Sequence, residues 1–180
     1  MKELPPEMYF RNKKYLTYQL WSDMYKRVTY GTAGHRYLNC SIHPDFMDYR
    51  KFVDWCHAQI GFGKPRFCLD KDVLVKGNTL YGPDTCCFIP YKINSSLTMC
   101  NAARGSLPIG VRASGSKFKA NIKIRRKSYY FGPFETVVEA FNAYKAAREN
   151  AIREMAEEHK HEISERAYQA LMNFKIEITD

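Results

Sequence analysis

The residues best placed to do chemistry form one basic run. Between Thr85 and Phe134 there is no Asp or Glu, while Lys92, Arg104, Arg112, Lys117, Lys119, Lys123, Arg125, Arg126 and Lys127 all fall there. Within it, KFKANIKIR (Lys117–Arg125) alternates without a break. Phe118, Ala120, Ile122 and Ile124 point one way; Lys117, Lys119, Asn121, Lys123 and Arg125 point the other. A period of two marks a half-buried strand. Long cations in a row, with no carboxylate among them, suit the phosphate oxygens of a polyanion. The whole chain leans the same way: 28 Lys and Arg against 19 Asp and Glu give a net charge of +9. Such an excess favours nucleic acid first and an acidic membrane surface second.

Those cations need a scaffold, and the flanking residues supply it. Leu107–Ala113 precedes the alternating strand across Ser114-Gly115-Ser116, and Ser128–Phe131 follows it across Arg126-Lys127. The pattern predicts a three-stranded antiparallel meander, apolar on one face and basic on the other. Thr136 is a good N-cap, and Glu139 three residues on completes a capping box. Val137, Ala140, Phe141, Tyr144, Ala147 and Ile152 then make a stripe along a long helix reaching about Glu158, which covers the apolar face. From Glu135 onward the charge reverses, with Glu149, Glu154, Glu157, Glu158, Glu162 and Glu165 forming an acidic support. A short helix over Ser164–Phe174 and a strand-like Lys175–Ile178 end the chain.

The first half reads differently. Leu16, Leu20, Trp21, Met24 and Val28 share one helical stripe in Tyr15–Val28. Thr29–Pro44 reads as a loop. A second amphipathic helix follows Asp45, with Phe46, Tyr49, Phe52, Val53, Cys56 and Ile60 on one side. Then come a strand over Phe67–Val75, a turn at Lys76-Gly77-Asn78, a turn at Tyr81-Gly82-Pro83-Asp84, a short strand at Cys86–Ile89 and a helix from Pro90 to Leu97. Thr98–Ser106 is a polar hinge. The division is residues 1–100, 107–159 and a C-terminal helix and tail at 160–180.

No apolar run approaches the roughly 20 residues needed to cross a bilayer, and MKELPPEMYFRNKK has no signal-peptide core. Six cysteines without an export signal read as free thiols in the cytoplasm. No CxxC pair exists, which argues against zinc.

Pro108–Ala147 resembles an AP2 DNA-binding domain. The resemblance rests on Gly110-Val111-Arg112, Lys117-Phe118-Lys119-Ala120-Asn121-Ile122, Tyr130-Phe131-Gly132-Pro133-Phe134-Glu135-Thr136, Glu139-Ala140-Phe141, Ala143-Tyr144 and Ala146-Ala147. It implies a sheet lying in the major groove of double-stranded DNA, with Arg112, Lys119, Asn121, Lys123 and Tyr130 on the contacting face. The chemistry agrees, since arginine pairs with guanine and asparagine with adenine at base edges. Two positions depart from the family: Phe118 stands where a tryptophan is usual and Asn121 where plant members often carry glutamate, so base preference does not transfer.

The first half is similar to the HNH-type module that bacteriophage proteins fuse to an AP2 domain. Leu69-Asp70-Lys71-Asp72, Tyr81-Gly82-Pro83-Asp84-Thr85-Cys86 and Ile93-Asn94 carry this likeness, with Trp21, Tyr49, Phe52 and Trp55 in the preceding helices. It implies a ββα-metal-like module holding one divalent cation, Mg²⁺ or Mn²⁺, with Asp70 and Asn94 as its ligands. Lys71 stands where the general base is expected, and Thr85 or Cys86 where the orienting asparagine is. Lysine, with an ordinary pKa near ~10.4, is a poor base at neutral pH; His43 or His57 would have to supply an imidazole.

The expected fold is therefore α+β, a helical and ββα-metal-like module followed by an AP2-type sheet on a long helix. The expected function is duplex binding with weak or absent nuclease activity. The alternatives are an active HNH homing or nicking endonuclease, and an RNA- or protein-binding module such as an inhibitor of a host defence system. Contacts from Arg112, Lys119, Lys123, Arg125 and Lys127 would give a log–log salt slope near about −4.5.

Overall fold

The computed structural model describes residues 6–30, 39–97, 106–125 and 127–180. Among them are six helices and three small sheets, an α+β chain. It divides into two compact units: Met1–Tyr91 with Lys160–Ala170, and Lys92–His159 with Leu171–Asp180. The tail that reads from the sequence as a separate piece is shared between them. The hinge expected at Thr98–Ser106 lies, but for Ser106, outside the described residues.

The first unit begins with α1 (Pro6–Tyr30), β1 (Ser41–Ile42), α2 (Pro44–Met47) and α3 (Tyr49–Ala58). It continues with β2 (Phe67–Asp70), β3 (Leu80–Tyr81) and β4 (Cys87–Pro90). Its core holds Met24, Phe46, Phe52, Cys56, Tyr81 and Phe88, with Trp21 and Trp55 packed against it. Phe46 meets Phe52 edge to face at 5.0 Å and Trp55 at 4.8 Å, the geometry aromatic quadrupoles favour. The single helix expected after Asp45 is two helices. Asp48 turns extended (φ −79°, ψ 112°) and its carboxylate accepts the Arg50 and Lys51 N–H groups, capping α3. Ile60, placed on that stripe, falls past the helix and is 53% exposed. The expected loop over Thr29–Pro44 contains β1, which pairs in parallel with β3. Two residues are too few to show an alternation. β2 pairs antiparallel with β4 in the register Phe67↔Pro90 to Asp70↔Cys87, and it stops at Asp70 rather than Val75.

The second unit contains most of α4 (Tyr91–Leu97), then β5 (Val111–Ser114), β6 (Lys117–Ile124), β7 (Lys127–Phe134) and α5 (Val137–Glu158). The sheet order is β5-β6-β7, antiparallel throughout. Val111, Ala120, Ile122, Ala140, Phe141 and Tyr144 form the core between sheet and helix, with Phe118 and Ile124 partly buried beside them. Burying side chains of the size of Ile122 or Phe141 stabilises by about 1.5–3 kcal/mol each. At the start of α5 the Thr136 hydroxyl accepts the Glu139 N–H at 3.2 Å, and the Glu139 carboxylate accepts the Thr136 N–H at 3.1 Å. This capping box contributes about 1 kcal/mol and fixes where the helix starts.

Two glycines fix the geometry of the sheet. Gly110 (φ +76°) lies so close to α5 that a Cβ there would stand 2.0 Å from the Tyr144 ring. Only glycine permits that approach, and it lets the Gly110 carbonyl accept the Asn121 N–H at 2.7 Å. Gly132 (φ +112°) precedes Pro133 across a cis peptide bond, where β7 carries one extra residue between its Phe118 and Ala120 partners. Pro133 brings no N–H to this edge strand, which blunts it against further pairing.

The last helix, α6 (Glu165–Met172), is followed by an irregular tail. The strand expected at Lys175–Ile178 is absent. Ile176 is instead fully buried in the core of the second unit, and its N–H goes to the Glu149 carboxylate on α5 at 3.1 Å.

Candidate nucleic-acid interface

The register of the sheet decides which side chains share a face. Arg112 lies opposite Lys119, Asn121 opposite Tyr130, and Lys123 opposite Ser128. Cross-strand partners point to the same side, so Arg112, Lys119, Asn121, Lys123 and Tyr130 stand together on the face away from α5. Arg112, Lys119 and Lys123 are exposed, and Tyr130 is 66% exposed. The alternation read from Lys117–Arg125 thus becomes a polar, cationic outer surface.

The eight residues expected to touch DNA are not equivalent. Lys117 donates to Glu135 at 2.5 Å, and Arg125, in the turn after β6, is paired with Glu158 at the end of α5. Lys127 lies opposite Ile124, so its register places it on the helix side rather than the outer face. Arg112, Lys119 and Lys123 have no carboxylate within salt-bridge distance among the described residues. Among the described residues the outer face carries three cations without a carboxylate partner, together with the Asn121 amide and the Tyr130 phenol. A planar guanidinium and an amide can each make two hydrogen bonds to a base edge, while lysines act as point charges toward phosphate.

Sequence reasoning missed four participants. Glu135 and Glu158 neutralise expected contacts, yet nothing in their spacing marks them as partners of Lys117 and Arg125. Tyr129 and Phe131 lie on the helix-side face of β7, opposite Ile122 and Ala120, but remain 44% and 38% exposed at the sheet edge.

The polar cluster of the first unit has a different character. Asp70, at the end of β2, is 7% exposed, and its Oδ1 accepts the Asp72 N–H at 2.8 Å and the Val73 N–H at 2.7 Å. Burial pushes its carboxyl above the usual carboxylate range, against the pull of those two N–H groups. Lys71 is equally buried, and its ammonium donates to Asp72 Oδ1 and to the Asn78 carbonyl, both at 2.7 Å. Asn78 returns the contact, its side-chain amide donating to the Lys71 and Leu80 carbonyls at 2.7 Å each. The Thr85 hydroxyl donates to the Leu80 carbonyl at 2.7 Å. Burial also pushes the Cys86 thiol up to about 12 and drives the Cys87 thiol up as well. These residues hold the 70–80 turn in shape.

The two candidate imidazoles are held differently. His43 Nδ1 accepts the Asp45 N–H at the start of α2, and the His57 ring packs edge-on against Phe62 at 5.1 Å. Asn94 lies in α4 and belongs to the second unit, whereas Asp70, Lys71 and Thr85 belong to the first. Asp70 Oδ1 is held by two N–H groups and the next side chain along is the Lys71 ammonium, neither of which favours a divalent cation there. Among the described residues no cluster of three or more His, Cys, Asp or Glu could hold a metal. Cys40, Cys56, Cys68, Cys86 and Cys87 form no disulfide. No helix of the described residues is long and apolar enough to cross a membrane. Comparison of the chain with protein-family models, curated proteins and solved structures gives no match.

Proposed function

We propose that the protein binds double-stranded DNA in the manner of the phage HNH–AP2 proteins, with β5-β6-β7 in the major groove and α5 behind the sheet. The observation that carries this reading is the outer face itself. Among the described residues Arg112, Lys119 and Lys123 are exposed without a carboxylate partner, and Asn121 lies between the two lysines with Tyr130 across from it on β7. Strands can enter the major groove, where base edges carry a full donor and acceptor code. In this reading the first unit is an HNH-like scaffold that supports binding without cutting. Its nearest equivalent of a metal ligand, Asp70, is a turn-holding residue, and Lys71 is held by Asp72 and Asn78.

Fluorescence anisotropy against a selected site and random duplex, at several salt concentrations, tests the reading. Two lysine–phosphate contacts, Lys119 and Lys123, predict a log–log slope near about −1.8, shallower than the five-contact expectation, because Arg125 and Lys127 are withdrawn from the face and Arg112 is assigned to a base edge. Arg112→Ala or Asn121→Ala costs about 1–3 kcal/mol on the selected site and much less on random duplex. Salt-independent binding, or a preference for single strands over duplex, overturns the proposal. The latter result would favour base stacking on the exposed Tyr129, Tyr130 and Phe131 instead.

A further inference from the structure

β5 is shorter than the strand it pairs with, and the difference leaves a cavity. β5 begins at Val111, opposite Ala120, whereas β6 runs on to Ile124. Beyond Gly110, which holds the Asn121 N–H, the incoming chain no longer accompanies β6. A cavity of about 630 Å³ opens here, bordered by Pro108, Gly110, Arg112, Lys123, Tyr144 and Arg148. No Asp or Glu lines it. Its size lies within the range of small-molecule sites.

Arg148 gives the cavity its character. It rises from α5, donates from Nη1 to the Lys123 carbonyl at 3.3 Å, and donates from Nη2 to the Ser96 carbonyl. Those two carbonyls orient the guanidinium without cancelling its charge. Its Nε–H is sealed from solvent and has no acceptor. A buried donor without an acceptor is costly, and the cost is relieved when an anion or water arrives. Arg148 also has no carboxylate within salt-bridge distance among the described residues. Three cations around one concave, acid-free wall concentrate positive potential.

We propose that this cavity is a phosphate-binding pocket, in which Arg148 turns its Nε–H edge toward a phosphate oxygen and Arg112 and Lys123 close on the others. A planar guanidinium fork matches phosphate geometry better than an ammonium does. The phosphate belongs either to a free nucleotide or to a nucleic-acid backbone; the chemistry that recognises it is the same. Arg112 and Lys123 also belong to the proposed duplex face, so the pocket shares two cations with that reading; it differs in needing one phosphate group rather than a duplex.

The test follows the arginine side-chain N–H resonances and backbone amides of the full ¹⁵N-labelled chain. Inorganic phosphate, a nucleoside monophosphate and a dinucleoside phosphodiester are each titrated against chloride at matched ionic strength. The expected result is a saturable shift of the Arg148 Nε–H and the Gly110 and Asn121 amides, absent with chloride. Tighter saturation by the nucleoside monophosphate identifies a free nucleotide, and tighter saturation by the phosphodiester identifies a backbone phosphate. Arg148→Lys keeps the charge but loses the fork, and weakens saturation about tenfold. Arg112→Gln, at an exposed position, gives a second reading should Arg148→Lys fail to fold. A linear response identical to chloride overturns the proposal, as does saturation unchanged in both variants. Loss of duplex binding would leave this result standing.

Discussion

The two units both carry a polar cluster with charged residues, but they treat those charges in opposite ways. Around Asp70 every group named is answered from within: two N–H groups on the carboxylate, an aspartate and a carbonyl on Lys71, two carbonyls on Asn78. On the sheet, Arg112, Lys119 and Lys123 are left without carboxylates, and even the neighbouring Lys117 and Arg125 show what neutralisation looks like. A buried, mutually satisfied cluster holds a turn in shape and offers little to a ligand. An exposed, unanswered one has interaction energy still to release. Residue type alone does not separate the two; partners do.

The comparison breaks most readily at the sheet. The triple variant Arg112→Gln, Lys119→Gln, Lys123→Gln should lower duplex affinity by about a thousandfold at low salt, from loss of three charge-assisted contacts. Its salt slope should collapse toward zero. Anisotropy measures both, and an unchanged slope would move the interface elsewhere.

Asp70→Ala should do the reverse. Removing the acceptor of two N–H groups in a buried turn should destabilise the first unit by about 2–4 kcal/mol, while the folded fraction binds DNA with unchanged affinity. Both tryptophans, Trp21 and Trp55, lie in that unit, so their fluorescence reports its unfolding in denaturant. Supercoiled plasmid with Mg²⁺ or Mn²⁺ should stay uncut by the parent and the variant alike. Nicking by the parent that disappears in Asp70→Ala would restore the nuclease reading.

The two buried carboxylates should also respond to pH with opposite sign. Burial raises Glu149, but the Ile176 N–H, Lys175 and Lys145 outweigh it and hold the carboxyl below its usual value. A depressed pKa contributes stability that is full above the unfolded value, about 4.3, and is lost as pH falls through the folded one. Asp70 is raised, so its folded state binds the extra proton, and the first unit gains stability as pH falls through that raised value. The protection factor of the Ile176 amide, taken against the intrinsic exchange rate at each pH, should therefore fall on acidification while tryptophan fluorescence shows no matching loss from Asp70. Glu149→Gln should weaken the second unit by about 1–2 kcal/mol and remove this acid sensitivity.

The smallest effect sharpens the comparison. Glu158→Gln releases Arg125 from an exposed ion pair, so duplex affinity should rise about two- to threefold. The slope should steepen by about 0.9 if Arg125 then reaches a phosphate. No change would mean that Arg125 points away from the nucleic acid even when free.

The pattern of Lys117–Arg125 by itself determined a two-faced strand, because a period of two has no other regular solution. Thr136 and Glu139 likewise determined where α5 starts, since capping is local chemistry between residues three apart. Long periodic stripes placed α5 and the part of α1 from Tyr15 on, but not its start at Pro6, where no stripe was legible. The sequence did not contain the break at Asp48, whose side chain competes with its own backbone, or the β1–β3 pair, which is too short for a pattern. Only the tertiary structure decided which cations are answered. Pairing Arg125 with Glu158 joins residues 33 apart in sequence. The register that turns Lys127 toward the helix side depends on how β6 and β7 align. Asp70 and Lys71, adjacent and polar in a likeness to a catalytic motif, became turn-holding groups, Asp70 through the Asp72 and Val73 N–H groups and Lys71 through Asp72 and Asn78. Local spacing fixes backbone shape, whereas the electrostatic fate of a long side chain depends on what the fold brings within a few ångströms of its tip.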